Sequence, residues 1–317
     1  MANILTVTLN PTVDLSSDAD IVRPVRKVRT RNERFDPGGG GINVARVIAK
    51  LGSNAEAIYL AGGEMGAMLD RLVAEQGIAG HPIRIGGQTR IGYIVHELST
   101  RLEYRFVPEG PHITAEDCEA CLAAISGKQA DYVICSGSLP AGAPADTYVR
   151  FAEAARAKGA KFVLDSSGDG LRSTMEAGGV YLVKPSLGEL EQLVGRKLTH
   201  EHAAEAAAEL VAKGWAELVA VTLGADGAIL ASKDAVLRLP AIPVRVKSAV
   251  GAGDSFLAAM VWALSEGRAV DDAFRLGIAA GAVATMTPGT GLCDIDEVWL
   301  VYDRAFAGGP GLPAAKP

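Results

Sequence analysis

Gly251-Ala252-Gly253-Asp254, followed by the apolar run FLAAMVWAL at 256–264, are the residues whose types and spacing point most directly to chemistry. Gly251 and Gly253 permit a tight turn that leaves backbone amides free. The run behind them is apolar on every side, the pattern of a buried helix. A helix N-terminus with unpaired amides binds anions, and its first turn tolerates a carboxylate. Asp254 beside such an anion hole can take a proton from an alcohol. The amides of Gly251, Ala252 and Gly253 would hold the charge developing on a transferring phosphoryl group. The same form also fits a plain turn with aspartate as a helix cap, so the rest of the chain must discriminate.

A second glycine cluster lies upstream. Asp36-Pro37-Gly38-Gly39-Gly40-Gly41 precedes a predicted helix over 42–51. Four consecutive glycines let a ligand approach the backbone closely, and Asn43 offers a donor and an acceptor to a bound hydroxyl. Counted from Gly38, the third glycine of G-x-G-x-x-G is replaced by Asn43, and no G-x-x-x-x-G-K-[ST] occurs. Rossmann and P-loop readings, and with them a nicotinamide-dependent oxidoreductase, lose their main support.

The elements that must position these residues follow from pattern. A short apolar run at 4–9 predicts a core strand, ended by Asn10-Pro11. Residues 12–36 alternate and carry many charges, which predicts exposed strands. Lys27, Arg29 and Arg31 would fall on one face of such a strand, either as a solvated face or as phosphate contacts. A strand at 55–60 and a helix at 66–76 follow. Segments 89–98 and 103–107 flank Ser99-Thr100-Arg101 as a hairpin. This hairpin and residues 12–36 together predict a small sheet inserted into an α/β core. From 114 the chain alternates. Helices are predicted near 114–125, 145–158, 168–176, 187–194 and 201–213, and strands at 132–136, 161–165, 181–183 and 218–222. Hairpin strands near 227–231 and 236–239 come next, then helices near 253–266, 270–286 and 294–306. Such alternation predicts a mostly parallel sheet covered by helices on both faces. Residues 1–307 are expected to form one domain, with 308–317 as a flexible tail.

In open α/β sheets ligands bind beyond the carboxyl ends of strands. Ser136-Gly137-Ser138, Asp165-Ser166-Ser167-Gly168, Lys184-Pro185-Ser186 and Thr222-Leu223-Gly224 all follow predicted strands. Together with residues 251–254 they suit a phosphorylated, hydroxyl-rich ligand and point to a small-molecule kinase.

Composition narrows the partners. The chain has 317 residues, 49% hydrophobic, with a net charge of −6. That balance argues against nucleic acid and anionic membrane as partners. No signal-peptide core occurs in residues 1–30 and no apolar run reaches spanning length, so a soluble, cytoplasmic protein is expected. Cys118 and Cys121 form a C-x-x-C, but they sit in a predicted capped helix with no second close pair, so free thiols are expected rather than zinc.

At this point the sequence resembles the PfkB, or ribokinase-like, carbohydrate kinases over nearly its whole length. GGGGINVAR at 38–46 resembles the family's amino-terminal signature, and VGAGDS at 250–255 its carboxy-terminal one. Within the phosphosugar branch, 1-phosphofructokinases and tagatose-6-phosphate kinases usually show G-G-K-G-[IL]-N, whereas this chain carries Gly40 at the lysine position. The run is similar to the minor-type, PfkB-class 6-phosphofructokinases. The resemblance implies ATP-dependent phosphorylation of fructose 6-phosphate at its 1-hydroxyl. 1-Phosphofructokinase, tagatose-6-phosphate kinase and a catalytically silent sugar-phosphate sensor remain as alternatives.

The resemblance also implies roles. Asp254 would be the catalytic base. Asp14, Gly39, Gly40 and Asn43 would contact sugar hydroxyls, and Arg90, Arg105 and Ser138 would serve the substrate site. Lys27 and Arg29 would reach a substrate bound by a partner subunit, since the family's small sheets pack together as a dimer. Lys184, Ser186, Glu189, Thr222, Gly224 and Gly227 would line the nucleotide site together with Ser248 and Val250. Glu189 would act on Mg²⁺ through water. A monovalent cation, K⁺, would sit near Ser248, Val250, Ala282, Thr287 and Gly289. Ser186 departs from the family's N-x-x-E motif, where asparagine is usual, and Ala249 replaces the usual threonine before the glycine turn.

Overall fold

The structure, a computed structural model, describes residues 2–306; the expected tail at 308–317 lies outside the described residues. The first part of the chain contains β1 (Ile4–Thr8), β2 (Thr12–Ala19), β3 (Thr30–Gly38), α1 (Gly40–Lys50), β4 (Ala55–Ala61), α2 (Gly63–Glu75), β5 (Ala79–Arg84), β6 (Arg90–Glu97) and β7 (Glu103–Phe106). The alternating part runs α3 (Ala115–Ser126), β8 (Tyr132–Ser136), α4 (Thr147–Ala157), β9 (Lys161–Asp165), α5 (Gly168–Ala177), β10 (Val180–Val183), α6 (Leu187–Val194), α7 (His200–Ala212) and β11 (Ala216–Thr222). The hairpin β12 (Ala228–Ala231) and β13 (Val236–Leu239) leads to α8 (Ala252–Ser265), α9 (Val270–Met286) and α10 (Ile295–Phe306).

The large sheet has the order β13-β12-β11-β10-β9-β8-β1-β4-β5. Every pairing from β5 to β11 is parallel, and only the β11-β12-β13 end is antiparallel. Its strands alternate between two separate apolar layers. In β8, Tyr132 and Ile134 pack into one layer while Val133 and Cys135 pack into the other. This is why the central strands read as unbroken apolar runs: both faces are covered. The second, four-stranded sheet has the order β3-β2-β6-β7, parallel between β2 and β6 and antiparallel elsewhere. The ribokinase-like α/β architecture expected from the sequence is the one observed.

There are four local differences from the sequence-based expectations. First, α1 begins at Gly40, two residues before the predicted start. Gly39 caps it at φ 109°, a conformation open to glycine, and the Thr8 hydroxyl accepts the Ile42 amide at 3.1 Å. Second, α2 begins at Gly63 rather than near 66. Third, β5 was not expected, because Gly80 and Pro82 lower its strand propensity; it is an edge strand, where proline is tolerated. Fourth, Lys27 and Arg29 do not lie on a strand. Residues 20–29 form a loop that turns at Pro24 and at Val25, whose φ is 63°, and only Arg31 lies within β3, paired with Asp20.

The C-x-x-C lies in α3 under a capping box from Thr114 and Asp117, and all four cysteines are free and buried. Among the described residues there is no cluster of three or more potential metal ligands, and no helix long and apolar enough to cross a membrane.

Candidate active site

Helix α8 is buried along most of its length and packs against α1 and α9. Its N-terminus emerges where the two glycine clusters meet. Gly251 caps it at φ 72°, a left-handed conformation suited to glycine, and the first helical bond runs from the Ser255 amide to the Gly251 carbonyl at 2.8 Å. The amides of Ala252, Gly253 and Asp254 therefore have no helical acceptor, as expected of a first turn.

Two clefts flank this turn. The first, of about 270 Å³, is polar and lies between the small sheet and the carboxyl ends of β8 and β9. Asp14, Gly39, Gly40, Asn43, Arg90, Arg105 and Ser138 line it, as do Val250, Gly251 and Asp254. The second, of about 700 Å³, is mostly apolar; Thr222, Gly224, Gly227 and Ala282 line it, and Ala252 and Gly253 form its border with the first. The predicted base and anion hole thus stand between two compartments, one suited to a polar molecule and one with apolar walls.

Asp254 is the third residue of α8 and keeps an opening onto the first cleft. Asn43 Nδ2 donates to its Oδ2 at 2.8 Å. Burial pushes its pKa up to about 6 and the nearby Asp165 carboxylate adds to this, while Asn43 and Lys184 pull the other way and Asp14 adds a little. A carboxylate in that range is largely ionised at neutral pH yet basic enough to accept a proton. Asp14, held between Asp36 of β3 and Gly92 of β6, is likewise pushed up to about 6, chiefly by burial.

Asp165 closes β9. Its carboxylate is held by Lys184 Nζ at 3.1 Å and by the Ser136 hydroxyl at 3.4 Å, and burial raises its pKa. Burial acts to lower Lys184, but the carboxylates of Asp165 and Asp254 outweigh it and hold the ammonium above its ordinary value. Lys184 lines neither cleft. A Cβ built on Gly253 would come within 3.1 Å of its Nζ, so the charge sits directly beneath the glycine turn.

Ser186 caps α6, donating from its amide and hydroxyl to Glu189 Oε2 at 2.7 and 2.8 Å. Glu189 lines the first cleft, with one carboxylate oxygen engaged by this box. Ser248 is buried, and its hydroxyl accepts the Val250 amide at 3.1 Å. Thr287 caps the end of α9 and Gly289 follows at φ 60°. Arg90 lines the first cleft, but three of its donors go to the carbonyls of Asn10, Pro11 and Pro108. Lys27 and Arg29 are exposed and line neither cleft.

Ser136, Ser166 and Ser167, named from the sequence as strand-end residues, line the first cleft. Other lining residues escaped the sequence reading: Thr12 and Val107 in the first cleft, and Ile242, Val244, Phe256, Ile278 and Thr285 in the second. Segment 240–249 forms no regular element, although Ile242, Val244 and Val246 alternate in sequence and all three line the second cleft.

The sequence model for pfkB family carbohydrate kinases matches residues 7–297. The ATP-dependent 6-phosphofructokinase isozyme 2 of Mycobacterium tuberculosis is 42% identical over 305 residues, covering 95% of this chain and 89% of the relative. The 1-phosphofructokinase of Haloferax volcanii is 36% identical over 298 residues, covering 93% and 95%. The crystal structure of phosphofructokinase-2 from Escherichia coli in complex with potassium superposes with a TM-score of 0.92 at 36% identity, covering 95% and 98%. With both signatures at the mouth of one cleft and these relatives matched almost end to end, the chain belongs to the pfkB family of carbohydrate kinases.

Proposed function

We propose that this kinase transfers the terminal phosphoryl group of ATP to the 1-hydroxyl of fructose 6-phosphate, giving fructose 1,6-bisphosphate and ADP. The observation that carries the proposal is the position of Asp254, a carboxylate with a pKa of about 6 on an unpaired helix N-terminus between a polar and an apolar cleft. The sugar phosphate occupies the polar cleft, with Asp14, Gly39, Gly40 and Asn43 toward its hydroxyls and Arg105 and Ser138 toward its phosphate. Adenosine occupies the apolar cleft beside Thr222, Gly224 and Gly227. The acceptor hydroxyl has an alcohol pKa, so Asp254 takes its proton as the new P–O bond forms. The amides of residues 251–253, with Lys184 beneath them, hold the negative charge on the moving phosphoryl group.

Among the described residues no three His, Cys, Asp or Glu side chains are grouped to hold a metal ion, which fits Mg²⁺ carried on ATP phosphates, where it keeps several of its waters. Glu189, with one oxygen outside the capping box, would hold such waters, and the ion would neutralise phosphate charge. The set of Ser248, Val250, Ala282, Thr287 and Gly289 has no ionised side chain. Its donors are carbonyls and hydroxyls, a set that suits a monovalent cation such as K⁺.

Residues 1–307 form one catalytic unit in this reading, with the small sheet as a lid that excludes water. The lid also provides a dimer surface. Phe35, Leu15, Tyr93 and Phe106 stand in register across its four strands, on the face opposite Asp14, and Phe35, Tyr93 and Phe106 are 41%, 43% and 57% exposed. A row of exposed aromatics of this kind marks an interaction surface. A dimer through that face gives Lys27 and Arg29 a neighbouring cleft to serve.

A 1-phosphofructokinase reading is favoured by the Haloferax relative and opposed by Gly40. A Cβ there would lie 2.1 Å from Ser136 Oγ and 3.1 Å from the Ser136 carbonyl carbon, so a side chain at this position requires a different Ser136. The deciding experiment is initial rates with Mg-ATP on fructose 6-phosphate, tagatose 6-phosphate, fructose 1-phosphate and fructose, with and without K⁺. The highest kcat/KM is expected on fructose 6-phosphate. A higher value on fructose 1-phosphate overturns the substrate assignment, and binding without turnover on all four supports the sensor alternative.

A further inference from the structure

Arg46 lies inside α1, 4% exposed, and each nitrogen of its guanidinium has a partner. Nη1 donates to Asn43 Oδ1 and to the Pro37 carbonyl, both at 3.1 Å; Nη2 meets Asp36 Oδ1 at 3.5 Å; Nε donates to Gln76 at 3.4 Å. Asn43 is the residue whose other end donates to Asp254. We propose that Arg46 is a positioning residue for phosphoryl transfer, holding the Asn43 amide with its NH₂ toward Asp254, and that Asp36 anchors Arg46 for this purpose. The inference rests on Asp254 being the base.

The chemistry of the groups fixes the direction of this chain. Guanidinium only donates and a carboxylate only accepts, so an amide between them has one satisfactory orientation. Two charged ends also polarise the amide, strengthening the bond that Asp254 receives. Asp36, itself in β3 of the small sheet, ties the chain to one further segment. Its Oδ2 accepts Arg34 Nε at 2.7 Å, from the same strand, and the Thr290 hydroxyl at 2.6 Å, from the loop after α9. The orientation of the base is thereby coupled to the lid strand and to the loop beside the candidate cation site.

The charged groups facing Asp254 are Asp165 from β9, Lys184 after β10, Asp14 from β2 and Arg46, through Asn43, from α1. Arg46→Met keeps the volume, removes the donors and leaves Asp36 its Arg34 and Thr290 partners. Weakening the bond from Asn43 raises the basicity of Asp254. The acid limb of the kcat/KM profile is therefore expected to move upward by about one pH unit, the equivalent of one charge-assisted hydrogen bond. Arg46→Gln, which can still donate to Asn43 Oδ1, should give a smaller shift in the same direction, and it carries the test if Arg46→Met does not fold. In an Asn43→Ala background Arg46→Met should leave the limb where Asn43→Ala alone puts it. Thermal melts and near-ultraviolet circular dichroism establish that each variant is folded. An unmoved limb in folded Arg46→Met and Arg46→Gln, even with turnover lowered at every pH, overturns the proposal and reduces Arg46 to packing. Failure of the underlying reading is separate: Asp254→Ala would then retain near-normal turnover, and the limb would belong to another group.

Discussion

The buried pair between Lys184 and Asp165 makes the strongest quantitative prediction. The two charges lie 3.1 Å apart, with side chains only 7% and 14% exposed. At an effective dielectric of about 20 their attraction is about 5 kcal/mol. Desolvating two ions takes several kcal/mol each, so the intact pair adds little net stability. Breaking it is another matter. Lys184→Met leaves Asp165 buried, unpaired and close to Asp254, and is expected to lose about 3–5 kcal/mol. The loss has a definite pH dependence. Without the ammonium, Asp165 has a folded pKa raised further above its unfolded value. Such a group contributes stability that is present below the unfolded pKa and lost as pH rises through the folded one. The penalty should therefore be largest at pH 8 and shrink toward pH 5. Replacing both partners, Lys184→Met with Asp165→Leu, removes the orphaned charge and should lose less than about 2 kcal/mol. Urea unfolding followed by tryptophan fluorescence at Trp215, Trp262 and Trp299 reports these values. A single-variant loss below about 1 kcal/mol, a penalty independent of pH, or a double variant worse than the sum of its singles would refute the reasoning.

Asp254→Ala is expected to lower kcat by at least ~100-fold with little change in the KM for ATP, as loss of a general base does; steady-state kinetics with fructose 6-phosphate tests it. The wild-type kcat/KM should fall as pH drops through about 6, where Asp254 takes up its proton. The same value predicts a trade of stability for activity: the folded pKa of about 6 exceeds the ordinary aspartate value of 3.8, so the ionised group opposes folding above pH 6. Asp254→Asn should raise the melting temperature at pH 8, by the equivalent of up to about 3 kcal/mol, and not at pH 4. Lys27→Ala and Arg29→Ala should raise the KM for the sugar phosphate more than that for ATP, and dilution below the dimer dissociation constant should abolish the difference from wild type.

Most of the framework was legible because it depends on local pattern. The alternating core, the hairpin at Ser99-Thr100-Arg101 and the glycine turn before α8 each carry their own periodicity or turn chemistry, and β8 and β9 fall on their predicted bounds. The edge strand β5 was not legible, because tertiary pairing with β4 overrides Gly80 and Pro82. At the site, glycines and strand-end residues could be read from type and spacing. The link from Asp36 through Arg46 and Asn43 to Asp254 could not, since those residues span 36–254 and only folding brings them together. Lys184 was legible as a strand-end cation but not as the partner of Asp165, for the same reason.

The charge of the polar cleft gives the Lys27 and Arg29 prediction its force. Asp14, Asp165, Glu189 and Asp254 line that cleft, against Arg90 and Arg105. Arg90 is committed to three backbone carbonyls, and the Lys184 charge is matched by Asp165 beneath the turn. Burial is the main cause of the raised pKa values at Asp14 and Asp254, and neighbouring carboxylates add to it. A sugar phosphate entering this space meets four carboxylates against two guanidinium charges. The loop at 20–29 holds Arg23, Arg26, Lys27 and Arg29 in solvent, on the same small sheet whose outer face carries the exposed aromatic row. In the proposed dimer, pairing two small sheets through that row would bury the aromatics and bring a basic loop toward an acidic cleft.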